Sequence, residues 1–129
     1  MSTLNVANIQ SLTTSTLPVV KNSAGTEVGR YVRAFCRING TSTASITSDF
    51  NISSITDNGV GDYTFTFENA LPDANYVYTI GHSAPVNTHH CHASTYQHAP
   101  TTTTIRVRVF RDETSSNAAD DPRLCVAIF

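Results

Sequence analysis

Charge is what this sequence has least of. Asp, Glu, Lys and Arg make up 14% of its 129 residues, where ordinary soluble domains carry about a quarter. The formal net charge is -2 with His neutral, so there is no basic field to hold a nucleic-acid backbone. Trp is absent and Met occurs once; lacking Trp, the chain is short of the strongest aromatic platform for a sugar ring. No apolar run approaches the ~20 residues of a membrane-spanning helix. The opening Met1-Ser2-Thr3-Leu4-Asn5-Val6 has no basic stretch followed by an apolar one, and no secretory signal is expected. Asn39-Gly40-Thr41 and Asn51-Ile52-Ser53 therefore carry no expectation of glycosylation. Cysteine is sparse and odd in number: Cys36, Cys91 and Cys125, with no C-x-x-C. Cys36 and Cys125 sit in strand-like apolar runs and read as buried free thiols.

Catalytic signatures are missing too. There is no G-x-S-x-G, no glycine-rich phosphate loop and no H-E-x-x-H. The nameable carboxylate pairs, Asp62 with Glu68 and Asp112 with Glu113, fall in turn and rim contexts rather than where a glycosidase would hold them. The chain is read as not an enzyme, with a metal-dependent activity the third-ranked alternative.

What is present is a succession of short alternating segments between polar turns. In residues 27–38, Val28, Arg30, Val32, Ala34, Cys36 and Ile38 share one face, and Tyr31, Arg33, Phe35 and Arg37 the other. This period of two belongs to a strand and not to a helix. Asn39-Gly40 marks a hairpin turn. A return strand begins at Ala44 and resumes through Phe50, Ile52 and Ile55, ending at a second turn signal, Thr56-Asp57-Asn58-Gly59. Tyr63, Phe65 and Phe67 then point one way and Thr64 and Thr66 the other. Further strands are expected over 76–80 and over 101–111, the latter with Ile105, Val107 and Val109 inward and Arg106 and Arg108 outward. Residues 112–121 read as an exposed polar loop. The closing Leu124-Cys125-Val126-Ala127-Ile128-Phe129 is unbroken apolar sequence, which predicts burial on both faces. No segment of ten or more residues shows a helical repeat. The expected fold is all-β, an antiparallel sandwich, with residues 1–26 as an N-terminal arm and linker and 27–129 as the sandwich domain.

The one chemical concentration lies at residues 86–98, which hold four of the five His and Cys91. His90 and His92 share a face on an extended chain, so both can address one ion. One pair is too few for a structural zinc site within one chain. Three chains on a threefold axis would supply six imidazoles, a set that suits an octahedral ion better than tetrahedral zinc. The competing reading is a plain exposed polar loop. Cys91 as a nucleophile lacks an orienting third group. Tyr96, with Asn87, Thr88, His89, Gln97 and His98 around it, offers a polar and aromatic surface for a receptor. Protonating all five His takes the net charge from -2 to +3, one unit per imidazole, so the surface changes sign below about pH 6. Arg33 and Arg37, with Arg106 and Arg108, read either as a cationic strip on one sheet or as cross-strand pairs with Asp and Glu. Arg33 and Arg37 beside Tyr31 and Phe35 also have the composition of a subunit interface.

Three stretches carry a family resemblance. The opening Met1-Ser2-Thr3-Leu4-Asn5-Val6-Ala7-Asn8-Ile9-Gln10-Ser11 resembles the start of tail-fibre and related virion proteins of phages that infect cyanobacteria and marine bacteria. Residues 33–41 (Arg-Ala-Phe-Cys-Arg-Ile-Asn-Gly-Thr) and 51–64 (Asn-Ile-Ser-Ser-Ile-Thr-Asp-Asn-Gly-Val-Gly-Asp-Tyr-Thr) resemble a β-rich module near the C-termini of those fibres, and residues 124–129 resemble its ending. The resemblance spans most of residues 26–129, and departs from the family where the module has Trp and this chain has Phe35. It implies a virion structural protein with a jelly-roll-like sandwich that assembles as a homotrimer. Some such tips bind iron on the threefold axis through His-x-His pairs; only His90 and His92 match that pattern here.

A chain of this length leaves no room for a fibre shaft. The expectation is therefore a short trimeric tail fibre or tip that contacts the host surface, located in the virion. The alternative is a capsid decoration (cement) protein that stabilises the shell. The expected partners are further copies of the chain, other virion proteins through the arm, and a host surface glycan or protein, with neither nucleic acid nor membrane insertion. A transition metal, iron or zinc, at the His-rich loop is the one cofactor to test for.

Overall fold

The computed structural model describes residues 19–83, 92–95, 97–110 and 118–129. The chain forms two compact units, Met1–Tyr31 and Val32–Phe129. In the first, β1 (Val20–Lys21) pairs antiparallel with β2 (Glu27–Gly29). The turn between them is built by Asn22, whose Oδ1 accepts from the backbone N–H groups of Ala24 and Thr26 at 3.0 Å each, an Asx turn of the kind this composition favours. Arg30 and Glu27 form an ion pair beside it.

The second unit is two four-stranded antiparallel sheets, with no helix among the described residues. Sheet one has the order β4 (Ser45–Phe50), β3 (Ala34–Asn39), β10 (Leu124–Ile128), β7 (Tyr78–Gly81). Sheet two has the order β5 (Ile52–Gly59), β6 (Asp62–Phe67), β9 (Thr104–Phe110), β8 (His92–Ser94). The consecutive strands β9 and β10 each occupy the middle of a different sheet, so the chain's end knits the two together.

The core lies between the sheets. Ala34, Cys36 and Ile38 from β3 and Leu124, Val126 and Ile128 from β10 meet Tyr63, Phe65 and Phe67 from β6 and Ile105, Val107 and Val109 from β9. Each set follows the period of two, so the inward faces of β3, β6 and β9 are those expected from the sequence. A two-sheet sandwich follows from four strands with one apolar face each, because each sheet buries that face only against the other.

The structure departs from expectation in several places, each for a local reason. Residues 27–38 are two strands, β2 and β3, and Val28 is 61% exposed. The return strand after the first hairpin is also two strands, in different sheets. The chain changes sheet at Asn51, which takes a left-handed backbone (φ 56°). The expected turn at Thr56-Asp57-Asn58-Gly59 is the end of β5, and the turn itself is Val60-Gly61. Gly61 has φ 65°, and a Cβ there would stand 2.6 Å from the Ala119 carbonyl oxygen, so only glycine fits. The closing strand is not buried on both faces: Leu124, Val126 and Ile128 are buried, while Cys125 and Ala127 are half-covered on the outer side. The end of the 112–121 loop is not exposed either, since Ala119 and Asp121 are fully buried.

Asp121 is buried because three segments converge on it. Its Oδ1 accepts from Ser83 Oγ at 3.0 Å and from the Arg123 N–H at 2.6 Å, and its carbonyl accepts from the Gly40 N–H at 2.8 Å. Next to it, Tyr63 Oη lies 2.9 Å from both the Gly40 carbonyl and Asp120 Oδ1, which share its one hydroxyl proton.

Candidate functional site

Two surfaces of the second unit stand out, and both follow from the strand order. The first is the outer face of sheet one. Because β3 alternates, Phe35 and Arg37 point away from the core, and the antiparallel register sets Phe50 of β4 opposite Phe35. The two rings stack, with centroids 6.1 Å apart and planes at 28°, and remain 39% and 51% exposed. Ala127 lies opposite Phe35 on the other side, and Thr79 beyond it. The result is an apolar row across three strands, ending at Thr79 on the fourth, beside Arg37 and Ser48 in the neighbouring row. Exposed aromatic rings grouped on a sheet face are a contact surface by composition.

The second surface is a cleft of about 560 Å³ lined by Tyr78, Thr79, Ile80, Ala93, Ser94 and Thr95. It exists because β7 and β8 are the edge strands of opposite sheets on the same side of the sandwich. Tyr78 Oη and Thr95 Oγ1 share a hydrogen bond of 2.8 Å across it. Tyr76 packs edge-on against Tyr78, with centroids 6.5 Å apart, and burial pushes the Tyr76 hydroxyl up to about 12. The lining residues offer hydroxyls, from Tyr78, Thr79, Ser94 and Thr95, on an aromatic and aliphatic floor. Residues 84–91, which join β7 to β8 in the sequence, lie outside the described residues.

The arginines divide between the sheets. Arg33 and Arg37 belong to sheet one, where the Arg33 N–H donates to the Ile128 carbonyl at 2.7 Å. Arg106 and Arg108 lie on the outer side of sheet two, so no single cationic strip forms. Asp62 pairs with both arginines of the second pair. Arg106 donates Nε to Oδ1 at 2.7 Å and Nη2 to Oδ2 at 2.8 Å, and Arg108 Nε stands 3.2 Å from Oδ2. The Arg106 hydrogen bonds hold the Asp62 carboxyl below the usual carboxylate range, against the opposing effect of its burial. This is the cross-strand pairing that the sequence reading set against a cationic strip.

Of the candidate site residues, Phe35 and Arg37 lie on the uncovered face, and Tyr31 is exposed within the first unit. Gln97 is exposed with a left-handed backbone (φ 64°), and the His98 N–H closes a turn onto the Thr95 carbonyl at 3.0 Å. His92 opens β8, its backbone paired in register with Phe110. Asn87, Thr88, His89, His90 and Tyr96, the side chain of His92 and residues 1–18 of the expected arm and linker lie outside the described residues. Among the described residues no group of three or more His, Cys, Asp or Glu is placed to hold a metal ion, and no helix is long and apolar enough to cross a membrane. Sequence reading missed Phe50, whose position opposite Phe35 follows from the hairpin register alone. It also missed Tyr78, Thr79 and Thr95, which become neighbours only through sheet order.

No protein-family model, no curated protein and no solved structure matches this chain.

Proposed function

We propose that this chain is a structural protein of a phage virion, a short trimeric tail fibre or tip whose jelly-roll-like sandwich contacts the host surface. The observation that supports this reading best is the stacked Phe35–Phe50 pair left uncovered beside Arg37 on the outer face of sheet one. Aromatic rings and Arg are what subunit interfaces concentrate, and a homotrimer would cover them. The two four-stranded antiparallel sheets accord with a double-sheet sandwich. In this reading residues 1–26 dock the protein on its virion partners. The segment carrying Asn87, Thr88, His89, Tyr96, Gln97 and His98 faces a host glycan or protein, and His90 and His92 hold iron or zinc where three chains meet.

Native mass spectrometry before and after chelation tests the assembly. The expected species is a trimer, and added mass equal to one metal per three chains would support ligation by His90 and His92. A monomer at micromolar concentration would sink both the fibre and the cement readings. Binding of the purified trimer to host cells separates those two: the fibre requires it. A trimer that ignores cells and binds the capsid shell is the cement protein.

A further inference from the structure

The chain contains two Asn-Gly dipeptides, Asn39-Gly40 and Asn58-Gly59. In such a pair the glycine amide nitrogen, with no Cβ beside it, can attack the preceding carboxamide carbon. Solvent access and room for the backbone to close the ring decide whether it does. The fold sets the two pairs in opposite circumstances. Gly40 is buried; its N–H donates to the Asp121 carbonyl at 2.8 Å, and a Cβ there would fall 2.3 Å from Tyr63 Oη. The Asn39 Oδ1 accepts from both the N–H and the hydroxyl of Thr41, at 3.0 and 2.7 Å. Asn58 and Gly59 are both exposed. Gly59 has φ 128° with no atom within 4 Å of a Cβ position. Its N–H donates to the Asp57 carboxylate at 2.9 Å, so a basic oxygen stands at the hydrogen that ring closure removes. Asn58 also falls where the β5–β6 register shifts, between Asp57 and Gly59, so it has no Cα partner across the ladder, an opening of the kind local fluctuations use.

We infer that Asn58-Gly59 is a site of spontaneous, one-way covalent modification, and that Asn39-Gly40 is protected from the same reaction by the fold. The Gly59 nitrogen bonds to Asn58 Cγ, the Cγ–Nδ2 bond breaks, and ammonia leaves with the proton lost by the Gly59 N–H. Water then opens the resulting succinimide at either carbonyl, giving an α-linked aspartate or a β-linked isoaspartate. The net exchange is one water in and one ammonia out, with no oxidant and no cofactor.

The modified side chain acts on a charged cluster. The Asn58 Nδ2 donates to Thr64 Oγ1 at 2.9 Å and to Asp62 Oδ1 at 3.4 Å. Deamidation replaces this donor by a carboxylate beside Asp57 and Asp62. The new charge repels Asp62 and competes with it for Arg106. An aged molecule therefore carries one more negative charge on the outer face of sheet two and a looser β5–β6 hairpin.

Peptide mapping of the folded full chain during incubation at mildly alkaline pH reads both sites in one sample, from the NH2-to-OH mass gain and isoaspartate content. The same chain held unfolded in urea gives the unprotected rates. In urea the two dipeptides should react alike. In the folded chain conversion at Asn58 should outrun that at Asn39 by at least about tenfold, since Gly40 reacts only through local unfolding. Asn58→Gln should abolish the fast conversion and leave Asn39 unchanged. Equal folded rates, or a folded Asn58 slowed as much as Asn39 relative to urea, would overturn the inference.

Discussion

Asn51 shows how much of this fold rests on single side chains. It stands where the chain leaves β4 in one sheet and enters β5 in the other, with a left-handed backbone that few residues other than Gly and Asn adopt. Its Oδ1 accepts the Asn69 N–H at 2.8 Å, and its Nδ2 donates to the Arg33 and Asn69 carbonyls at 3.2 Å each. One side chain thus ties three segments at the point of crossing. Asn51→Ala loses both the backbone preference and these bonds and should cost about 2–4 kcal/mol. Asn51→Gly keeps the backbone preference and loses only the bonds, so it should cost less. Urea unfolding decides: two midpoints lowered in that order with unchanged slope confirm the account, and an alanine variant as stable as wild type removes it. Nothing in a single Asn between Phe50 and Ile52 announces such a role. The partners lie 18 residues away on either side, and sequence reading sees only neighbours.

At the scale of the element, legibility follows whether a strand has one buried face. The inward residues of β3, β6 and β9 were readable because the core imposes a period of two on each. Strand β4 was not, because it is an edge strand exposed at every position, and no alternation is selected where neither face is buried. The Arg residues were readable as a set but not in their grouping, since strand pairing decides which of them meet. Asp62 joins β6 to Arg106 and Arg108 of β9, and this pairing has a pH signature. Its folded-state carboxyl is depressed, led by the Arg106 hydrogen bonds. The stabilisation is therefore present above the unfolded value, about 3.9, and is lost as pH falls through the lower folded one. Melting temperatures of wild type and Asp62→Asn across the acid range test this. The wild type should melt higher at neutral pH, and the gap should close as the solution is acidified below the usual carboxylate range. A gap independent of pH would mean that Asp62 acts through packing and not through its charge.

At the scale of the molecule, the proposed trimer turns on which surface meets another copy. Sheet edges are the usual hazard, and β4 carries a guard against it. Asp49 pairs in register with buried Cys36, so it sits on the core-facing side of an edge strand, where an incoming strand would have to bury its charge. The Cys36 thiol registers the same surroundings: burial first, then the Asp49 charge, pushes it up to about 12. In the proposed trimer the contact falls on the outer face of sheet one, where Phe35 and Phe50 stack in solvent. Phe35→Ser with Phe50→Ser should convert the expected trimer to monomer in native mass spectrometry. Because both rings are substantially exposed in one chain, melting under monomeric conditions should move by no more than about 1 kcal/mol in equivalent stability. A double variant that keeps the wild-type assembly would place the interface elsewhere. One that unfolds would show instead that the stacked pair supports the sheet, and the face would lose its claim as a contact surface.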